Sequence, residues 1–423
     1  MSLVAVAWDW CARNREALTA AGALFGGGLL AWGALQQPAF ASRRPREHQD
    51  RLPNVTEVFS KAIEQLGSKQ IQVCLGGIYT LERISRESRP DYGAVMEILT
   101  AFVRDRARWT EPDAALSAPR PDSEPGAGGR MVSCQKRRTD VAAALAVILR
   151  REHADEQDED GRLDLRRTNL GGASLVGAPL RRANLFAANL TDADIASADL
   201  FKANLGRTNL TRTNAVGAKL VRTNLSHANL SGANFRAANL AGATLNWADL
   251  TKVDLYGADL RGSTLLEAHA RGAGLHGADL RGANLTATDL GAAQLAGADL
   301  GGANLTKVIL RQAALGRANL ATAILYAADL TRADLRAANL HAVDLSWADL
   351  SGANLAWADL SGAILYGATL AGTNLTGANL RGADLRGVDL ANACLTDAVL
   401  DGAIMVATTN DNTGPSEATR AAE

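Results

Sequence analysis

The chain of 423 residues is poor in the residue groupings that carry chemistry or cross-links. Its four cysteines, Cys11, Cys74, Cys134 and Cys394, lie far apart with no CxxC pair. That spacing argues against a disulfide framework or a zinc site and fits reduced thiols. The six histidines, His48, His153, His227, His269, His276 and His341, include no HxxxH or HExxH spacing. Neither a GxxxxGK[ST] phosphate loop nor a GxSxG nucleophile turn occurs. A net charge of −1 leaves no general basic or acidic footprint, so partners must be sought in local charge. Nothing here points to an enzyme, a cofactor or a metal.

What the chain has in abundance is one repeat. From Leu165 to Met405 an apolar residue or alanine stands at every residue number divisible by five, giving 49 consecutive units without a slip. Leu fills 44 of these centres, and Ile195, Ala215, Phe235, Ala270 and Met405 fill the others. An α-helix turns about 100° per residue, so a period of five would carry Leu around every side and bury no coherent face. A plain strand fails as well, because five is odd. Each unit must contain its own bend, with the centre i and the small residue at i−2 both pointing inward. Position i−2 is mostly Ala, i−1 mostly Asn or Asp, and i+2 often Gly, as at Gly257, Gly277, Gly297 and Gly377. Such residues suit tight turns.

This A-[DN]-L-x-x pattern, clear in ADLRGADL and ANLSGANF, resembles the pentapeptide-repeat family. The resemblance implies an all-β right-handed quadrilateral β-helix with four units per coil, here over 163–407. Twelve coils at ~4.8 Å would form a rod about 58 Å long. Residues twenty apart should stack, which puts Ile195, Ala215 and Phe235 in one column. Ala270, between Leu250 and Leu290, predicts an underpacked spot. The Asn and Asp at i−1 should form hydrogen-bonded ladders.

Ahead of the rod the organisation differs. Residues 17–35 carry no charge over nineteen positions, about the ~20 needed for a transmembrane helix; this span lies within an N-terminal segment, 1–40. Arg13 and Arg15 precede it, whereas Arg43, Arg44, Arg46 and Arg51 come after it. The positive-inside bias then places the remainder of the chain in the cytoplasm, on an inner membrane. A rival reading is a cleaved export signal, because Ala39-Phe40-Ala41 is a small-x-small pattern. Gly22 and Gly26 form a GxxxG pair through which two spans could meet, so a homo-oligomer is among the expectations.

From 52 to 151 the periodicity is helical. Val55, Val58, Phe59, Ala62, Ile63 and Leu66 make one face, with Asn54 and Glu57 as a capping box and Gly67 as a stop. Leu75, Ile78, Leu81 and Ile84 mark a second helix over 71–85, and Val95, Ile98, Leu99, Phe102 and Val103 a third. Four prolines and three glycines within 110–138 predict a mobile loop. Asp140 should cap a fourth helix buried through Val141, Ala144, Leu145, Ile148 and Leu149. Short paired helices of this kind look HEAT-like. The runs FSKAIEQLGS, VCLGGIYTLERISRES, MEILTAFVRD and DVAAALAVILRR resemble the membrane-proximal region ahead of the repeats in many bacterial pentapeptide-repeat proteins. Those proteins commonly carry Arg at the place of Cys74, so no role of that Arg transfers. A charged linker, 152–162, leads into the rod, and a polar tail, 408–423, reads as disordered.

Charge is polarised along the rod. Residues 163–236 hold ten Lys or Arg against four acids, 237–339 hold nine of each, and 340–409 hold two against seven. Arg182, Lys202 and Arg222, twenty apart, predict a basic ladder suited to anionic headgroups or an acidic partner. Tyr326, Trp347 and Tyr366 predict an exposed aromatic stripe on one face, suited to a protein partner. Two functions are compatible with this layout. The first is a non-catalytic, membrane-anchored protein-interaction scaffold. The second is implied by the pentapeptide-repeat subgroup that mimics duplex DNA and binds DNA gyrase. A DNA mimic needs an acidic surface, and this rod is close to neutral. Direct nucleic-acid binding is not expected, since only Phe186 and Phe201 interleave the basic end.

Overall fold

A computed structural model describes residues 55–109, 139–150 and 163–405. The expected membrane span at 17–35, the loop 110–138, the linker 152–162 and the tail 408–423 lie outside the described residues. Among the described residues no helix is long and apolar enough to cross a membrane. The chain divides into two compact units, Met1–Val55 and Thr56–Glu423, and every described residue except Val55 belongs to the second.

Among the described residues four helices precede the repeats: α1 (Val55–Leu66), α2 (Ile71–Glu87), α3 (Tyr92–Arg106) and α4 (Thr139–Leu149). Helices α2, α3 and α4 pack on one another around Ile78, Leu81, Val95, Leu99, Val103, Ala144 and Ile148, all buried. Helix α1 meets α2 at Gly77, where an added Cβ would lie 2.7 Å from the Ala62 carbonyl oxygen. Two expectations need correction. Ile63 is exposed, because α1 turns only Ala62 and Leu66 fully inward. Asp140 does not precede α4 as a cap; it lies in its first turn, buried, accepting from the Val141 N–H at 3.0 Å and facing Arg106 at 3.7 Å.

From Leu163 the chain winds as predicted. Parallel bridges join residues twenty apart at the i−1 positions, from Asp164↔Asn184 to Asp384↔Ile404. Four such positions per twenty residues make a four-sided coil. Each rung carries backbone hydrogen bonds both ways: the Leu185 N–H donates to Asn204 O at 2.7 Å, and the Asn204 N–H to Ala183 O at 2.9 Å. The i−2 and i side chains point inward and are buried along nearly the whole rod. Ile195, Ala215 and Phe235 do share a column, tied by Asp194↔Asn214 and Asn214↔Asn234, and all three are buried.

Every corner is a turn such as Leu170–Ala173, closed by Ala173 N–H to Leu170 O at 2.9 Å with Gly172 at φ 61°. Glycine is not required there. Twenty-seven non-glycine residues, Lys202, Arg222 and Trp347 among them, hold the same positive φ. Left-handed backbone costs about 1–2 kcal/mol outside glycine. Two bonds offset it: the i+2 N–H donates to the next coil, as Lys202 does to Val221 O at 3.0 Å, and the i−1 carboxylate or amide accepts from the i+1 N–H, as Asp349 Oδ1 does from Ser351 at 2.9 Å. Asn and Asp at i−1 therefore act mainly as turn caps. Ladders are the lesser role, as in Asn224 Nδ2 to Asn204 Oδ1 at 3.1 Å.

The first coil does not begin on an open edge. Residues 107–109, just beyond α3, pair antiparallel with 167–169: Trp109 N–H donates to Arg167 O at 2.7 Å and Asn169 N–H to Ala107 O at 2.6 Å. Arg104 adds a bond to Asp164 O at 2.6 Å and an ion pair with its carboxylate at 3.1 Å. The helical and repeat cores form one continuous cluster. An uncovered solenoid end exposes both apolar centres and unpaired backbone, and the helices remove that exposure at this end.

Candidate protein-interaction face

The four-sided coil sorts surface residues by number modulo twenty. One face consists of residues such as 183–186 and its equivalents every twenty along the rod, bounded by corners at 182 and 187. Near the helices this face is basic. Arg182, Lys202 and Arg222 stack along one bounding corner, with Lys202 N–H bonded to the next coil and its ammonium 5.2 Å from the Phe201 ring centre. The three residues thus stand at one corner of successive coils. Arg167 and Arg207 occupy the opposite corner, a row that counting in twenties from Arg182 does not reach because the two are offset by five in number. Between the rows lie Asn184, Asn204 and Asn224, whose amides bond to each other and to the turns. Elsewhere the fold pairs charges from coil to coil, as in Arg212–Asp192 at 2.7 Å and Arg381–Asp401 at 3.2 Å. Arg182, Lys202, Arg207 and Arg222 have no such acid among the described residues.

Further along the same face the character is aromatic. Tyr326 and Tyr366 stand two coils apart in one column, and Trp347 sits at the adjoining corner of the intervening coil. Trp347 meets the Tyr366 ring edge-on at 5.6 Å. It lies over Gly367, where a Cβ would fall 3.0 Å from the indole Cε3. The three side chains are 42%, 57% and 43% exposed in chain order. The stripe is wider than predicted, since Ile324 and Ile364 are exposed beside it. Their signal was present in the sequence: Ile stands at i−1, where Asn or Asp is the rule. Asp344 lies between these two isoleucines in the ladder, and Asp349 follows Trp347 on the next face. Neither faces a cation at ion-pair distance among the described residues. One coil on, the Arg386 hydrogen bond holds the Asp384 carboxyl below the ordinary carboxylate range, with the Arg386 guanidinium 5.8 Å from the Tyr366 ring centre.

Two other exposed aromatics of the rod stand apart from this face, whereas Trp247 occupies the same corner row as Arg207 and Trp347. Trp357 covers Gly377 on another corner, Tyr256 lies beneath Arg236 at 4.4 Å, and Trp247 stacks on His227 at 5.0 Å. No three His, Cys, Asp or Glu side chains are grouped to hold a metal among the described residues. Cys74 is buried and Cys394 exposed, and neither forms a disulfide among the described residues.

A four-sided solenoid built from five-residue units, with a basic and aromatic face, defines a repeat protein. The sequence model for pentapeptide repeats matches eight times, at 164–200, 188–226, 218–257, 228–266, 248–286, 283–321, 328–365 and 363–402, more than half of the chain. The chain belongs to the pentapeptide-repeat family, whose fold is the right-handed β-helix. Among solved structures it is similar to HetL, a pentapeptide repeat protein involved in heterocyst differentiation regulation from the cyanobacterium Nostoc sp. strain PCC 7120. Identity is 38%, over 53% of this chain and 90% of that one, with a TM-score of 0.24. It is also similar to Rfr23 from the cyanobacterium Cyanothece 51142, 44% identical over 22% of this chain and 60% of that one, TM-score 0.18. QnrB1, a plasmid-mediated fluoroquinolone resistance protein, is 20% identical over 42% of this chain and 89% of that one, TM-score 0.28. No curated protein matches the chain.

Proposed function

We propose that the protein is a non-catalytic interaction scaffold, a stiff rod that presents one face to a protein partner. The observation that carries this reading is the contiguous exposed stripe of Ile324, Tyr326, Trp347, Ile364 and Tyr366. Large apolar side chains gathered contiguously on one side of a rod mark protein contact. The sequence of residues 17–35 supports attachment to a membrane, with the arginines beyond it favouring a rod on the cytoplasmic side. The gyrase-binding alternative lacks the acidic surface that DNA mimicry requires, for Arg182, Lys202, Arg207 and Arg222 stand uncompensated on the rod.

A photo-cross-linking residue at position 347 tests the reading in intact cells. A discrete adduct that disappears in the Tyr326→Ala/Trp347→Ala/Tyr366→Ala background, probed instead from position 346, supports it. Adducts unchanged by those substitutions would remove the stripe as the docking surface. Dose-dependent inhibition of gyrase supercoiling by the full chain would favour the alternative.

A further inference from the structure

Two halves of one face complement each other, and they lie on the same molecule. The half near the helices gathers Arg166, Arg167, Arg182, Lys202, Arg207 and Arg222, six of the ten Lys and Arg within 163–236, against Asp164 as the one acid of that face. The far half offers the groups that exposed guanidinium and ammonium groups seek: three aromatic rings, Tyr326, Trp347 and Tyr366, and the carboxylate Asp344, with Asp349 on the adjoining face just past Trp347; neither carboxylate has an ion-pair partner among the described residues. Cations stack on aromatic faces as well as pairing with carboxylates. The halves are about seven coils apart, or ~34 Å at ~4.8 Å per coil, so they cannot meet within one rod. Between them the face carries Trp247, Glu267 and Lys307 on its corner row and, on its strands, the short Thr264, Asn284, Thr286 and Asn304.

We propose that a second copy of this chain is the occupant of this face: two rods pair side by side and antiparallel, the basic half of each on the aromatic and acidic half of the other. The inference rests on the interaction-scaffold reading and names a partner for that face. A two-fold arrangement makes both contacts identical, so one complementary pair of patches is used twice. A parallel pairing would instead oppose cation row to cation row. Repulsion within the basic ladder favours the antiparallel arrangement too. Stacked like charges at ~5 Å repel by about 0.8 kcal/mol per pair even at the dielectric of water, and an opposing acidic, aromatic surface relieves that repulsion.

Charge reversal tests the arrangement. Sedimentation velocity of the full chain in non-ionic detergent should show a reversible dimer that weakens with salt. R182E/K202E/R222E alone, and D344K/D349K alone, should each weaken dimerisation by roughly tenfold or more. A one-to-one mixture of the two variants should restore association, since the two reversed patches then meet each other at one contact and the two unchanged patches at the other. The N-terminal apolar segment is present in every sample, so association through it would be insensitive to these changes. Circular dichroism verifies folding, and R182Q/K202Q/R222Q, which should also weaken the dimer, replaces the first variant if that one misfolds. A wild-type chain that stays monomeric, variants that dimerise normally, or a mixture that fails to recover would overturn the inference. The scaffold reading would survive any of these if the adduct at position 347 is to a different protein.

Discussion

The Thr213 hydroxyl donates to the Leu190 carbonyl one coil away at 2.7 Å. Thr208, Thr223, Thr288 and Thr373 do the same to Leu185, Leu200, Leu265 and Leu350. A polar atom at the inward i−2 position is therefore tolerated where it reaches a carbonyl between coils. Ser263 stands at the same position, and its buried Oγ has no hydrogen-bond partner among the described residues.

That contrast gives the first prediction. Ser263→Ala should leave thermal stability unchanged or raise it by up to about 1 kcal/mol, because an unsatisfied buried hydroxyl is removed. Thr213→Val should lower it by about 1 kcal/mol through the lost hydrogen bond. Paired melts of the two variants check the sign of each.

Phe235 is the largest fully buried side chain and shares its column with Ala215. Phe235→Ala should cost about 3–5 kcal/mol, and Ala215→Leu about 1–3 kcal/mol from overpacking. Because coils contact only their neighbours, the damage should stay local. Amide exchange should quicken around 195–255 and remain slow near 300–340. Uniform loss of protection would contradict this.

Trp357 lies flat on Gly377, whose added Cβ would meet indole carbons at 2.4 Å. Gly257 has the same positive φ, and a Cβ there would meet nothing within 4 Å. Both Gly→Ala changes carry the left-handed backbone cost of about 1–2 kcal/mol. Only Gly377→Ala should also displace the indole, seen as a shift in tryptophan emission that Gly257→Ala lacks.

Asp259 and Asp279 bind Arg261 and Arg281 in a zipper, Arg261 reaching Asp259 at 2.7 Å and Asp279 at 3.5 Å. Hydrogen bonds from these guanidiniums hold both carboxyls below the ordinary carboxylate range. A depressed folded value means stability that is present above the unfolded value of about 4 and lost as pH falls through the folded one. Melting temperature should change little from neutral pH down to about 5 and then fall. R261Q/R281Q should flatten that acid limb, and high salt should do so partly, since the pairs are solvent-facing.

The coil was legible because its cause is local and periodic. Leu at every fifth position with Ala two before it admits only a chain that bends once per unit, and the Ile195, Ala215 and Phe235 column comes from counting in twenties. The same counting placed Arg182, Lys202 and Arg222 in a row, and Tyr326, Trp347 and Tyr366 on one side. Ile324 and Ile364 were less legible: an isoleucine at i−1 breaks no period, and its exposure beside the stripe depends on which strand positions share a face with which corners.

By itself, then, the sequence determined the repeat and its inward i and i−2 positions, since burial of one Leu and one small residue per unit is a short-range demand; the four-unit coil, and the columns counted from it, came from the resemblance to the pentapeptide-repeat family. Tertiary structure decided the rest. That Arg207 faces Arg222 across a shared asparagine floor depends on which corners bound a face. That residues 107–109 close the first coil depends on a strand edge needing hydrogen-bond partners, and the chain supplies them from about sixty residues away, a distance no local pattern encodes.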